Sequence, residues 1–179
     1  MKIYKTKTLA AVTSFLLCIA AVSPMTAYAY THSGSKWSDT TEYVTIMDTV
    51  TGNYHTAIGQ AMSNISSATP AKTLRAATGY TWTANVSNYG NTGWEGQSEW
   101  SYNIWGKTNL ATSKVNSYYI GPSSPIAQIR VLWLHELSHV WGLGHSGSNT
   151  VMYESATGAY RNGVRYLTAD DINGYKSLY

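Results

Sequence analysis

Residues 135–146 read HELSHVWGLGHS, and this stretch decides most of what the sequence predicts. On a helix, His135 and His139 lie on one face, so both imidazoles can reach one metal ion. Glu136 lies about 100° further round the helix, where it can approach a metal-bound water without being a ligand. Gly142 tolerates backbone angles closed to other residues, so the chain can turn sharply and bring His145 back as a third ligand.

Three histidines with a fourth position left to water are typical of a catalytic zinc site, whereas a structural site takes four protein ligands. Three of the chain's five histidines fall in this stretch, which favours a shared metal over ordinary core or surface histidines. A site that binds zinc without turnover would show the same residues.

The spacing HExxHxxGxxH resembles the zinc signature of the metzincin metallopeptidases, which also carry a methionine turn below the metal. Met152 lies in a Val-Met-Tyr sequence downstream of the third histidine, and Ser146 directly after that histidine resembles the matrixin branch. Lys36-Trp37 and the sequence LTADDING at residues 167–174 are also matrixin-like. The resemblance spans nearly the whole chain beyond its N-terminal segment.

This resemblance implies an α+β fold: a metzincin or zincin-like catalytic domain with a mixed sheet of about five strands, about three helices, and an active-site cleft between upper and lower parts. It implies one catalytic zinc ion on His135, His139 and His145. A zinc-activated water would attack the peptide bond of an extended polypeptide, with Glu136 as the general base. Met152 would be a structural floor beneath the metal.

In matrixins an antiparallel edge strand beside the cleft hydrogen-bonds to the extended substrate, a form of strand addition. Val115, Asn116 and Ser117, in a predicted strand, are the candidates for this role. Tyr153 either shapes the wall of the pocket that receives the side chain after the scissile bond, or simply packs. Glu154 replaces the proline usual in the family at the next position, so the sequence does not predict that wall.

The sequence also departs from the family in its accessory features. The only cysteine, Cys18, lies in an N-terminal apolar run, which excludes latency through a propeptide cysteine. Only His32 and His55 remain outside the motif, so we predict no second, structural zinc. Ca²⁺ is a possible further ion, but the scattered carboxylates do not assign a site.

Residues 1–29 are typical of a secretory signal peptide: three lysines precede an apolar run at residues 9–22, and Ala-Tyr-Ala at residues 27–29 suits signal peptidase. An uncleaved anchor is the alternative. We therefore expect a secreted, extracellular catalytic domain at residues 30–179. Removing the three lysines leaves nine basic and nine acidic residues. This balance gives no indication of binding to nucleic acid or, once the signal is cleaved, to a membrane. We expect a monomer whose partner is a polypeptide substrate.

Hydrophobic periodicity predicts strands at residues 42–50, 80–89 and 115–120, a turn region at 90–96, and helices at 54–65, at 125–141 with Ser124 as N-cap, and from Thr168 onward. Asp170 and Asp171 would lie in the first turn of the last helix. Their interpretation is helix capping, or the matrixin-like role of tying that helix to the methionine turn and receiving the N-terminal ammonium of Tyr30.

Two other functions are compatible with the sequence. One is a zinc amidase acting on cell-wall peptides. The other is a secreted binding protein with a structural zinc, whose seven tryptophans and fifteen tyrosines would form a carbohydrate-binding surface. The aromatic residues are scattered over all predicted elements, which favours core packing over such a surface.

Overall fold

The computed structural model of the protein describes residues 30–69 and 72–179, so the predicted signal peptide at residues 1–29 lies outside the described residues. In chain order the elements are β1 (Thr31–His32), β2 (Thr41–Ile46), α1 (Gly52–Ala68), β3 (Thr73–Ala77), β4 (Trp82–Ser87), β5 (Gly96–Tyr102), β6 (Thr108–Asn116), α2 (Ile126–Val140), β7 (Leu143–Gly144), α3 (Ala156–Arg161) and α4 (Ala169–Leu178). Within those residues, no helix combines the length and the apolar composition needed to span a bilayer.

Strands β2 to β6 form a mixed sheet in the order β3-β2-β4-β6-β5. Neighbouring strands run parallel except at one edge, where β5 runs antiparallel to β6. Side chains alternate between the two faces of a strand, and Val44, Trp82, Ala84 and Val86 point into the core. The predicted α+β class with a five-stranded mixed sheet is confirmed. The described part holds four helices rather than three, because short α3 follows the methionine turn.

Helices α1 and α2 pack against each other, and α2 also contacts β5 and β6. α1 is amphipathic, and one stripe of it is buried: Tyr54, Ala57, Ile58, Ala61, Met62 and Ile65. α2 differs, since eleven of its fifteen residues are buried. A helix that is buried all round is normally apolar all round. α2 instead carries His135 and Glu136 through the interior.

Three tryptophans join the N-terminal segment, the sheet and the end of α2. The ring centroids of Trp37 and Trp82 lie 5.6 Å apart and those of Trp82 and Trp141 5.9 Å apart. The Trp37 indole also donates to the carbonyl of Val140 at 3.0 Å. Aromatic contacts of this kind add to the stabilisation gained from burial alone. These rings therefore serve the core, whereas Trp105 is 77% exposed.

The predicted strand at residues 115–120 is wrong in its position. The strand is β6, Thr108–Asn116, and a turn follows it. Asn116 ends the strand, because its Oδ1 accepts a hydrogen bond from the backbone N–H of Tyr118 at 3.1 Å. Asparagine side chains favour such turns over a continued ladder. The upstream part of β6 is rich in polar residues and therefore has a weak strand signal.

The other predicted elements exist with shifted ends. The strands predicted at 42–50 and 80–89 are β2 and β4, and the helix predicted at 54–65 is α1. α2 has Pro125 rather than Ser124 at its N-cap, without a side-chain cap. The start of the last helix is confirmed: Thr168 is the N-cap of α4 and forms a capping box with Asp171.

A buried carboxyl on β2 predicts a pH-dependent stability. Burial is the main cause that raises the pKa of Glu42 to about 7; nearby Asp39 adds to the rise and Lys72 opposes it. Protonated Glu42 thus contributes stability that is complete below the unfolded value of 4.5 and is lost as pH rises through about 7. Glu42→Gln does not titrate. We expect the difference in melting temperature between variant and wild type to grow in the variant's favour from about pH 4.5 to 8.

Glu99→Gln is the control, because Glu99 is exposed and paired with Lys114 at 2.8 Å. The change of the melting-temperature difference with pH should be clearly larger for Glu42→Gln than for the control. Melting curves for Glu42→Gln that run parallel to those of wild type would contradict the prediction.

Candidate active site

The three predicted histidine ligands converge. His135 and His139 project from the same face of α2, with ring centroids 4.6 Å apart. The ring of His145 lies 5.2 Å from that of His135 and 4.9 Å from that of His139. One nitrogen from each ring falls within 4.8 Å of the others, as required of side chains that could hold one metal ion.

A left-handed glycine brings the third histidine back. Gly142 follows the C-cap of α2 with φ of +113°. A Cβ on this residue would lie 2.6 Å from Leu178 Cδ1 and 2.8 Å from the Ser35 carbonyl oxygen. Glycine is therefore required here both for its backbone angle and for the close approach of the neighbouring segments. This confirms the predicted sharp turn out of the helix.

Hydrogen bonds from the other ring nitrogen orient two of the imidazoles. The Nδ1 atom of His135 lies 2.9 Å from the carbonyl oxygen of Val151, and that of His139 lies 2.8 Å from the carbonyl oxygen of Leu143. A carbonyl only accepts, so both Nδ1 atoms carry the hydrogen and both Nε2 atoms present a lone pair. Burial chiefly lowers the pKa of His135 to about 3 and that of His139 to about 4, so both rings are neutral at pH 7.

The donor set fits zinc. The two Nε2 atoms lie 3.1 Å apart, and neither has a hydrogen to offer the other. This arrangement is unfavourable unless a cation lies between the lone pairs. Two nitrogens at 2.0–2.1 Å from one tetrahedral ion would be about 3.3 Å apart. Three imidazoles at this spacing suit Zn²⁺ better than they suit hard cations such as Ca²⁺, which take oxygen ligands.

The N-terminal segment braces the loop that carries the third histidine. β1 pairs antiparallel with β7, which lies between the glycine turn and His145. The Thr31 hydroxyl donates to the His145 carbonyl at 2.6 Å, and the Ser33 hydroxyl donates to that of His139 at 2.7 Å. Sequence reasoning missed this role, because these residues are polar, lie outside any motif and show no periodicity.

Glu136 is buried beside the histidines, 4% exposed. The Ser98 hydroxyl of β5 lies 2.9 Å from its Oε2 and 2.8 Å from its backbone carbonyl. Burial is the main cause that raises the pKa of Glu136 to about 8; Ser98 opposes the rise, and the charge of Glu95 adds a smaller one. A cation on the imidazoles would lower this pKa again, since an opposite charge favours the ionised form.

Gly96, the first residue of β5, makes room for that carboxylate. A Cβ at this position would lie 2.5 Å from Glu136 Oε1 and 2.7 Å from its Cδ. Side chains do not tolerate such a contact, so any larger residue at position 96 would displace the carboxylate or the strand. The edge strand and the candidate general base are therefore fitted to each other.

The methionine turn is tied to the last helix. Met152 is buried, and its carbonyl accepts a hydrogen bond from the Ser146 N–H at 2.7 Å. The Asp171 carboxylate accepts from the N–H groups of Val151 and Met152 at 3.1 and 3.4 Å. Asp171 also caps α4, so it both caps the last helix and ties that helix to the methionine turn. Asp170 accepts from the Ser146 hydroxyl at 2.9 Å and so links the same two regions.

A cleft of about 500 Å³ opens over the histidines. It is lined by β5 from Gly96 to Ser98 with Trp100, and by Glu154, Ser155 and Ala156. β5 pairs only with β6 among the described residues, so its other edge is free beside the cleft.

The expectation that Val115, Asn116 and Ser117 form the edge strand is wrong. β6 lies between β4 and β5, and Val115 is fully buried. The Asn116 amide donates to the Gly90 carbonyl at 3.0 Å and holds the loop before β5. The Ser117 N–H is bonded to the Ser87 carbonyl at 2.9 Å. The antiparallel edge strand is β5, which sequence reasoning missed because its residues are mostly polar.

Tyr153 packs against α3. A Cβ on Gly158 would lie 2.8 Å from the Tyr153 ring, which supports the packing interpretation. Glu154, Ser155 and Ala156, which follow Tyr153, line the cleft. Among the other acidic residues, Glu95 accepts a hydrogen bond from the Thr157 N–H at 2.9 Å. No calcium site can be assigned from these contacts.

The mixed sheet, the histidine-bearing central helix and the methionine turn together define a metallopeptidase of the metzincin class. The matrixin family model matches residues 25–179, and the chain belongs to the matrixin family. Membership makes it a zinc metallopeptidase in the general sense and confirms the resemblance found in the sequence. A comparison with curated protein sequences gives no match.

The brace from the N-terminal segment predicts an effect on zinc affinity. Thr31→Val keeps the side-chain shape and the strand pairing but removes the donor to the His145 carbonyl. Because one hydrogen bond contributes about 1 kcal/mol, we expect the dissociation constant for zinc to rise about fivefold. Competition with a chromogenic chelator measures it.

Thr40→Val is the matched control, since Thr40 is exposed and its hydroxyl makes no hydrogen bond with a described residue. This variant should bind zinc as wild type does. Equal affinities for Thr31→Val and wild type would show that β1 does not position His145.

Proposed function

We propose that the protein is a secreted zinc endopeptidase that hydrolyses extended polypeptides. The observation that carries this proposal is the pair of opposed Nε2 lone pairs at 3.1 Å, with a third imidazole nearby. A buried carboxylate lies next to them in sequence, and the site opens on a cleft with a free strand edge. His135, His139 and His145 would hold the ion. Zinc in such a site lowers the pKa of a bound water toward neutrality and polarises a carbonyl.

Glu136 moves the proton. Its carboxylate is placed to accept a proton from the attacking water and to deliver it to the leaving amine. A general acid–base works best when its pKa lies near the working pH. Burial and the Ser98 hydroxyl act in opposite directions on that pKa. Ser98 also fixes the direction of the carboxylate, and Gly96 leaves it the space.

The free edge of β5 supports an extended substrate as the ligand. A peptide can add to this edge as a further strand, with main-chain hydrogen bonds giving affinity and side-chain pockets giving specificity. Leu132 and Ala156 also line the cleft and offer apolar contacts to substrate side chains. We therefore transfer the substrate-binding role proposed for β6 to Gly96, Gln97 and Ser98.

The two rival functions are less well supported. A binding protein with a structural zinc would need a closed set of ligands, whereas three histidines here face an open cleft. A cell-wall amidase would use the same metal site. The free strand edge favours an extended peptide of L-residues as substrate over a cell-wall peptide. Secretion rests on the predicted signal at residues 1–29. We further propose a monomer that binds no nucleic acid and, after cleavage, no membrane.

Replacing the proposed base tests the mechanism. Glu136→Gln keeps the size of the side chain but cannot take up a proton. We expect stoichiometric zinc and a fall in casein cleavage of about 10²- to 10⁴-fold, the usual contribution of general acid–base catalysis. Chelation should abolish cleavage by the wild type. Glu99→Gln, on an exposed carboxylate, should cleave at the wild-type rate. Cleavage retained by Glu136→Gln would overturn the proposed role of this residue.

The close contact of β5 with the carboxylate gives a second test. Gly96→Ala forces Glu136 or the strand to move, and misplacement by about 1 Å can cost about 10²-fold in rate. We expect kcat to fall by about tenfold or more while zinc stays bound. In Gly121→Ala the nearest atom would lie 3.9 Å from the new Cβ, so this control should keep its activity. An unchanged kcat for Gly96→Ala would contradict the fit described above.

A further inference from the structure

A second concavity of about 650 Å³ lies between α1 and the segment that precedes α4. None of the residues that line it lines the catalytic cleft. One wall is a stripe of exposed residues on α1, opposite the buried stripe: Thr56, Gly59, Gln60, Ser63 and Ser67. At 1.5 Å per residue the stripe is about 16 Å long. Apart from Gly59, these residues carry polar, uncharged side chains.

Arg130 of α2 reaches this groove from the core. Arg130 as a whole is 8% exposed. The Nε atom donates to the Arg165 carbonyl at 3.1 Å and Nη1 to Gln60 Oε1 at 2.9 Å, and the guanidinium lies 4.0 Å from the ring centroid of Tyr166. All of these partners are neutral. A buried charge is normally paired with an opposite one.

No carboxylate lies within 4.0 Å of Arg130 among the described residues, and the residues outside that part of the chain include no aspartate or glutamate. The Nη2 atom makes no hydrogen bond with a described residue, and it is not among the fully buried polar atoms that lack a partner. It is therefore accessible from the groove, with free donors. A planar guanidinium in this state suits an oxyanion.

Gly59 lies in the middle of the groove wall, on the exposed side of α1. Glycine inside a helix costs about 1 kcal/mol relative to alanine. Nothing in the fold requires it here, because no atom lies within 4 Å of an added Cβ. The effect of this glycine is to leave space in the middle of the groove wall, beside Gln60 and Arg130.

We propose that this groove binds an acidic saccharide. Its carboxylate or phosphate would pair with Arg130, and its hydroxyl groups would bond to Thr56 and Ser63, whose hydroxyls make no hydrogen bond with a described residue. Tyr166 is 53% exposed, so part of its side chain is accessible to a sugar beside Arg130. The proposal goes beyond the peptidase activity and does not depend on it, because neither zinc nor Glu136 takes part.

Calorimetric titration of the mature protein with glucuronate, glucose 6-phosphate, glucose and inorganic phosphate tests the proposal. We expect saturable binding of at least one acidic sugar, at least tenfold tighter than glucose, and weakened by salt. Tighter binding of glucuronate would indicate a carboxylate ligand, and tighter binding of glucose 6-phosphate would indicate a phosphate ligand. Binding of inorganic phosphate as tight as that of the acidic sugars would indicate an anion site only. That result, or no saturable binding of either acidic sugar, would overturn the saccharide proposal.

Gly59→Gln fills the groove without disturbing a core contact and places a good helix former in α1. We expect a melting temperature at or above that of wild type, at least tenfold weaker binding of the acidic sugar, and unchanged casein cleavage. Gly59→Ala is the control, since a methyl group leaves most of the space, and it should bind as wild type does. Wild-type affinity in Gly59→Gln would place the ligand elsewhere and overturn the assignment.

Discussion

The central helix α2 carries two imidazoles and a carboxylate into the interior of the domain. Most of the hydrogen bonds around the site satisfy the polar atoms of these buried side chains. A buried polar group left without a partner costs about 1–3 kcal/mol. The carbonyls of Val151 and Leu143 satisfy the outer nitrogens of His135 and His139, and Ser98 satisfies Glu136. The partners thus fix ring and carboxylate directions before any ligand binds.

These partners come from segments far apart in the chain, so the site is complete only when the whole domain is folded. Val151 belongs to the methionine turn, which Asp171 of α4 holds by two backbone N–H groups. The loop of His145 is held by β1 at the other end of the chain. Such preorganisation keeps the catalytic groups in place without the cost of reorganisation during the reaction.

The sequence predicted the metal site and the fold class because the ligands and the base lie within eleven residues and follow the period of a helix and a glycine turn. It did not predict what holds them. Thr31 bonds to His145 from 114 positions away in the sequence, and Ser98 bonds to Glu136 from 38 positions away. No local sequence pattern distinguishes Thr31 or Ser98 from other polar residues. The edge strand was misplaced for a related reason: β5 carries mostly polar side chains, while the more apolar Val115 lies in an interior strand.

α2 connects the metal centre to the second groove, since Arg130 and His135 project from different sides of the same helix. A ligand shifts a distant site only if it binds two states of the protein with different affinity. α2 packs on α1, α3 and the sheet, and most of its residues are buried; closely packed interiors deform little. Arg130 and His135 therefore belong to one rigid element, and occupation of the groove should leave the histidine geometry unchanged. The two functions we propose therefore use separate concavities of one scaffold: the groove would bind an acidic saccharide, and the cleft would hold the polypeptide that is cleaved.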